Sequence, residues 1–208
     1  MSAAQQRQEV IAMTEAEYLA FERNSEIKHE YLNGEVFAMT GASWEHNMIC
    51  ASVIASLVNQ VRGSSCQVSP SDLRLQVSAS GLFAYPDISV ICGEPIFTDP
   101  EFDTIINPTA IIEILSPTTE RYDRGEKFQY YRQIGSFQDY LLIAQDQPRI
   151  EGYSRQSDGS WRFTDASGLD ARFEIASIRC TLALAEVYER VTFGTDEAEE
   201  GPAGTDLA

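Results

Sequence analysis

Ala110-Ile111-Ile112-Glu113-Ile114-Leu115-Ser116-Pro117 is a nearly continuous apolar run, broken by one acid and closed by a Ser-Pro pair. A short run of this kind reads as a strand buried on both faces, of the sort found inside α/β sheets. The carboxylate within it faces a large desolvation cost unless it is paired, protonated or bound to a cation. The same eight residues therefore point to the fold class and to the place where chemistry is held.

Working outward from that strand, the pattern downstream predicts an amphipathic helix from about Asp123 to Ile134, closed by Gly135, and then a strand Tyr140–Ala144. Glu151–Arg155, Trp161–Thr164 and Ala171–Phe173 read as a terminal antiparallel set, with turns at Ser157-Asp158-Gly159 and Ser167-Gly168. A last helix is expected over Leu184–Val191. Upstream, Asp87-Ile88-Ser89-Val90-Ile91 follows a proline, and Leu73-Arg74-Leu75-Gln76-Val77 alternates as a half-buried strand. Ser43 can cap a helix from Trp44 to Val61, whose Ile49, Val53, Leu57 and Val61 recur at helical spacing. Asn33-Gly34 between two β-capable runs signals a hairpin, and Thr14 with Glu17 three positions later forms a capping box. Helix, strands, helix, strand is a mixed α/β order, with no internal repeat and no dividing linker.

At 208 residues and 43% hydrophobic content, the chain suits one globular domain. We assign that domain to 13–193, with a frayed polar N-terminus over 1–12 and a disordered acidic tail over 194–208. No apolar run approaches the roughly 18 residues of a membrane helix, and no signal-peptide pattern opens the sequence. The expected compartment is the cytoplasm, with no membrane partner. Cys50, Cys66, Cys92 and Cys180 are scattered without a CxxC pair and are expected to be free thiols, not a zinc site or a disulfide framework. The net charge is −17. Without the five acids of the tail, 27 acids still face 15 bases. That balance opposes phosphate-backbone attraction, and an acidic metal pocket accounts for only a few of the charges.

Asp87 is the natural partner of Glu113, since two carboxylates from neighbouring strands suit a hard divalent cation such as Mg²⁺ or Mn²⁺. Such an ion polarises a phosphoryl oxygen and lowers the pKa of a bound water. Lys127 lies 14 residues after Glu113 and is one of only two lysines, with Lys28, among fifteen basic residues. A lysine there offers a compact charge to a water or to a developing phosphate charge. Each residue also has a plain structural reading. Asp87 can be a strand-start cap, Glu113 the partner of Arg121 or Arg124, and Glu30 a cross-strand neighbour of Lys28. His46 can be a substrate contact, a proton carrier or a structural histidine. Tyr130 and Tyr131 read as core. Arg121, Arg124 and Arg132 are phosphate candidates or helix-surface partners of Glu120, Asp123 and Glu126.

Pro86-Asp87, Glu113-Ile114-Leu115-Ser116-Pro117, Asp123-Arg124-Gly125-Glu126-Lys127-Phe128-Gln129-Tyr130-Tyr131 and Glu30-Tyr31-Leu32-Asn33-Gly34-Glu35 together resemble the Uma2 family, also known as DUF820, within the PD-(D/E)xK nuclease superfamily. The resemblance spans about residues 13 to 190. It implies a restriction-endonuclease-like core, a mixed β-sheet flanked by helices, and metal-dependent cleavage of DNA, often by homodimers. Carried over by position, Asp87 and Glu113 are the metal ligands. The superfamily's lysine position falls on Leu115, so Lys127 on the next helix stands in for it. Glu30 matches a family acid that adds a ligand through water or orients Lys127, and Asp72 is a further acid in reach. The leading reading is a Mg²⁺-dependent endonuclease. The competing one is a non-catalytic module of the same fold that binds DNA or protein, which the acidic charge keeps in play.

Overall fold

The computed structural model describes residues 13–193; the expected frayed segment 1–12 and acidic tail 194–208 lie outside the described residues. At the centre is a six-stranded mixed sheet. Its strands are β3 (Cys66–Pro70), β6 (Ile88–Cys92), β8 (Ala110–Ile114), β9 (Asp139–Ile143), β10 (Arg149–Arg155) and β11 (Trp161–Ser167), in the spatial order β11-β10-β9-β8-β6-β3. Only β8 and β9 run parallel. Every residue of β8 is buried, as its sequence requires.

One face of this sheet packs on α2 (Trp44–Gln60), where Ile49, Val53 and Leu57 meet Ile88, Val90, Ile112 and Ile114. Ser43 caps that helix by accepting from the His46 amide. The other face carries Ile111, Leu115, Tyr140 and Leu142. It is covered by a helical segment over residues 120–131 and by a second sheet of β1 (His29–Leu32), β2 (Glu35–Ala38), β4 (Arg74–Val77), β5 (Leu82–Ala84) and β7 (Thr104–Ile105). The β1–β2 hairpin turns at Asn33 and Gly34, both with positive φ, as a primed turn needs. Alternation along β8 thus sends Ile112 and Ile114 toward α2, and Ile111, Glu113 and Leu115 toward the helical segment. The carboxylate is placed by the period of the strand.

Four expectations need correction. The helix expected over Asp123–Ile134 is instead α3 (Glu120–Tyr122), a π-helical turn Asp123–Lys127 and α4 (Phe128–Tyr131). The terminal strands do not form one set. β10 and β11 extend the central sheet, while β12 (Arg172–Ile175) pairs with β13 (Cys180–Ala183), a strand the sequence reading passed over. The last helix, α5, spans Leu184–Val187 only. Cys66 and Cys92 form a disulfide, because they stand directly opposite each other in the β3–β6 register; Cys50 and Cys180 are free as expected.

A buried polar network ties α1 (Glu15–Glu22) to the second sheet. Glu22 accepts from the His29 amide and ring and from Tyr85, and Tyr85 accepts from Arg74, whose side chain is 3% exposed. Arg74 in turn pairs with Asp103, which also binds Arg23 at 2.7 Å. His29 and Tyr85 sit one and two residues from Glu30 and Asp87 respectively, so the network fixes the backbone from which two of the candidate acids project.

Arg23 holds the Asp103 carboxyl well below the usual carboxylate range, against the opposing effect of burial. A depressed folded-state pKa gives stability that is present above the unfolded value, near 3.9, and is lost as pH falls below it. Asp103→Asn is therefore expected to be less stable than the native chain at pH 7, with the gap closing as the pH is lowered through about 4. Thermal melts of both proteins from pH 7 to pH 3 check this; a gap that widens on acidification rules it out.

Candidate active site

The register that sets Ile88 opposite Ile112 places Asp87 beside Glu113 at the lip of the central sheet. The two acids hold each other's backbone. The Asp87 amide donates to Glu113 Oε2 at 3.2 Å, and the Ile114 amide donates to Asp87 Oδ2 at 2.8 Å. His46 Nε2 lies 3.1 Å from the same Asp87 oxygen. Asp87 Oδ1 takes no hydrogen bond among the described residues. Cys50 approaches the Asp87 carbonyl, and burial followed by the Asp87 charge pushes its thiol up to about 11. It therefore stays protonated at neutral pH and is no nucleophile.

Over Glu113 stands the Lys127 ammonium. Its Nζ lies 3.0 Å from Glu113 Oε1, 3.2 Å from Glu30 Oε1 and 3.4 Å from Asp123 Oδ1. The Tyr131 hydroxyl donates to the same Glu113 oxygen at 3.0 Å. Lys127, Glu113, Asp123 and Tyr131 are all buried, and Glu30 has the most exposed side chain of the three acids around the lysine, at 14%. Asp123, Lys127 and Tyr131 recur every four residues, and the π-helical turn carries the first two. Burial drives the Glu113 carboxyl up from its ordinary value, with Lys127 opposing and Asp87 reinforcing that rise. Burial alone would lower the Lys127 pKa, but the surrounding acids, Glu113 first and then Glu30, outweigh it and raise it well above the ordinary value. The cluster is a lysine held in its charged form by carboxylates that share its charge.

Of the residues singled out in the sequence, Asp87, Glu113, Lys127 and Glu30 are brought into one place. Asp72 is not: its exposed side chain pairs with Lys28 at the surface. Glu30 accordingly faces Lys127 and not Lys28. Arg124 does not reach Glu113 but binds Glu120 and Glu151. Asp123 and Tyr131 were missed as site residues. By sequence Asp123 is an ordinary helix-surface partner and Tyr131 a core residue, and the signal that groups both with Lys127 is their shared i, i+4 spacing.

Asp87 and Glu113 form an all-oxygen donor pair, with one oxygen of Asp87 free of protein partners, which suits a hard divalent cation that completes its shell with water. Among the described residues no group of three or more His, Cys, Asp or Glu side chains is arranged to hold a metal ion.

Residues 15–185 match the family model Uma2, described as "Putative restriction endonuclease". Two uncharacterized proteins of Synechocystis sp. are similar to this chain. One is 34% identical over 177 residues, covering 85% of this chain and 92% of its own length. The other is 35% identical over 167 residues, covering 80% and 94%. A crystal structure of "a putative nuclease belonging to DUF820" from Anabaena variabilis superposes with a TM-score of 0.70 at 19% identity, over 85% of this chain and 98% of that one. At that identity the likeness establishes a shared fold.

Removing the Lys127 ammonium would leave Glu30, Glu113 and Asp123 without their cation. Loss of one member of a buried ion pair typically costs about 3–5 kcal/mol, so Lys127→Met is expected to lose stability on that order in urea denaturation at pH 7. Adding Glu113→Gln should recover part of the loss, because the amide is neutral and still accepts from Tyr131. Single and double losses that simply add would show the two groups to be uncoupled.

Proposed function

Because the chain belongs to the Uma2 family, we propose that it is an endonuclease that hydrolyses phosphodiester bonds in DNA with the help of a divalent cation, Mg²⁺ or Mn²⁺. The observation that carries this reading is the pairing of Asp87 and Glu113 at the sheet lip with a charged lysine 3.0 Å from Glu113. Asp87 and Glu113 would hold the ion. When bound, it supplies polarisation of a phosphoryl oxygen and a more acidic water.

The chain's own residues do the rest. His46 and the Ile114 amide fix Asp87 Oδ2, leaving Oδ1 without a protein partner among the described residues. Tyr131 and the Asp87 amide fix the two oxygens of Glu113. Lys127 holds a proton that it offers as a hydrogen bond to an attacking water or to a phosphate oxygen. Its three donors are turned toward acids, of which Glu30 has the most exposed side chain, so in this reading a water or phosphate oxygen approaches the ammonium from the Glu30 side. Glu30 and Asp123 are in this reading positioning residues for the ammonium.

The net charge of −17 favours a second reading, a nuclease-fold module without catalysis, because an acidic surface does not attract a phosphate backbone. Incubation of purified protein with supercoiled plasmid separates the two. The enzyme reading expects nicking with Mg²⁺ or Mn²⁺ and none in chelator. It also expects a fall of about 10²-fold or more in Lys127→Met, the range for removing a general acid–base group, and loss of metal-dependent nicking in Asp87→Ala, which removes a ligand of the ion. Calorimetric titration with Mn²⁺ should show binding by the native chain and its loss in Asp87→Ala. Absence of nicking by the native chain, or equal nicking by Asp87→Ala, would remove the enzyme reading.

A further inference from the structure

Helix α2 is apolar on two sides. Ile49, Val53 and Leu57 bury completely against the central sheet. On the opposite side Trp44, Met48, Ala51, Ala55 and Val58 follow one another at alternating spacings of four and three residues, and Arg62 continues the series in the turn just beyond the helix. Trp44 is 68% exposed and Val58 38%. A surface helix normally turns a polar face to water; here Asn47 and Asn59 only flank an outer stripe that is otherwise apolar. The outer face of α2 borders a trough of about 490 Å³, lined on one side by Ala51, Ser52 and Ala55 and on the other by Glu186, Glu189 and Arg190 near α5.

The order of these side chains indicates what covers them. The six positions are symmetric about Val53. A two-fold axis at that level, with a second α2 running antiparallel, sets Ala51 against Ala55, Met48 against Val58, and Trp44 against Arg62. Small residues at the centre let two helices approach to about 8 Å. Met and Val fill the wider gap to either side, and a guanidinium over an indole closes each end. A parallel pair would instead place Trp44 on Trp44 and Arg62 on Arg62. The charges agree with the antiparallel arrangement. Glu45 at the start of α2 would lie near Arg62 of the second copy, and the exposed Glu186, Glu189 and Arg190 border the same trough. Among the described residues none of these five groups has an ion-pair partner. Every contact is made twice across the axis, as an isologous interface requires.

We propose that the outer face of α2 pairs with the same face of a second copy of this chain, antiparallel about Val53. The pairing stands apart from the nuclease reading, since none of its residues belongs to the site.

Sedimentation equilibrium of the full chain tests the proposal. The native chain is expected to be a dimer that dissociates on dilution through the micromolar range. Ala55→Arg, at the centre of the face and exposed, should be monomeric with an unchanged circular dichroism spectrum. Arg62→Glu should weaken the dimer about tenfold or more, which corresponds to about 1.4 kcal/mol. Combining it with Glu45→Arg should restore most of the affinity, a recovery that a merely structural role for Arg62 would not give. A native chain that stays monomeric at about 100 μM, an Ala55→Arg protein that stays dimeric, or a double variant no tighter than Arg62→Glu would each overturn it.

Discussion

The ammonium of Lys127 lies within 3.4 Å of three carboxylates that come from different parts of the chain: Glu30 on β1, Glu113 on β8 and Asp123 on the π-helical turn. Each of these groups would be unfavourable alone in a nearly dry interior, and each is tolerable because the others are present. The cluster therefore acts as a joint between the second sheet, the central sheet and the helical segment. It also sets a limit on function, since a charge network this enclosed cannot be rearranged freely. Glu30 has the most exposed side chain of the acids around the lysine, at 14%, and Asp87 keeps one carboxylate oxygen without a protein partner among the described residues.

The π-helical turn makes that joint possible. An α-helix brings residues four apart onto one face but at 3.6 residues per turn drifts slowly off it. Asp123, Lys127 and Tyr131 span two such steps, and all three reach the same Glu113 environment. Widening the first of those steps keeps Asp123 and Lys127 over the carboxylate, while Phe128, next along the chain, turns to stack on Tyr140 and Tyr153. Single π-turns inside helices are frequent at functional sites for this reason.

Much of this was legible in the sequence, and for definite reasons. Glu113 stood out because its neighbours are all apolar, and burial at 3% exposure is what that context predicts. The hairpin at Asn33-Gly34, the cap at Ser43 and the strand alternation on β8 are local properties, so local reading finds them. What escaped is non-local. Cys66 and Cys92 carry no motif, and only the β3–β6 register sets them face to face. β13 is four residues long and takes its identity from β12. His46 gave no clear sign because its partner, Asp87, is 41 residues away and is reached only once α2 packs across the sheet.

Leu115 shows why the lysine arrives from a helix. It sits two residues beyond Glu113 on the same face of the chain, where strand alternation would aim a lysine at the carboxylate pair. Yet it packs at 4% exposure among Ile111, Tyr140 and Leu142. An ammonium on that strand position would have to be desolvated among apolar side chains, with its acids to one side only. From the helix, the same charge descends onto Glu113 with Glu30 and Asp123 on its flanks, so its donors meet acceptors from three directions. The apolar contact made by Leu115 and the ion pairs made by Lys127 are compatible in one site because they come from different elements. The strand is left free to hold the sheet together while the helix supplies the charge.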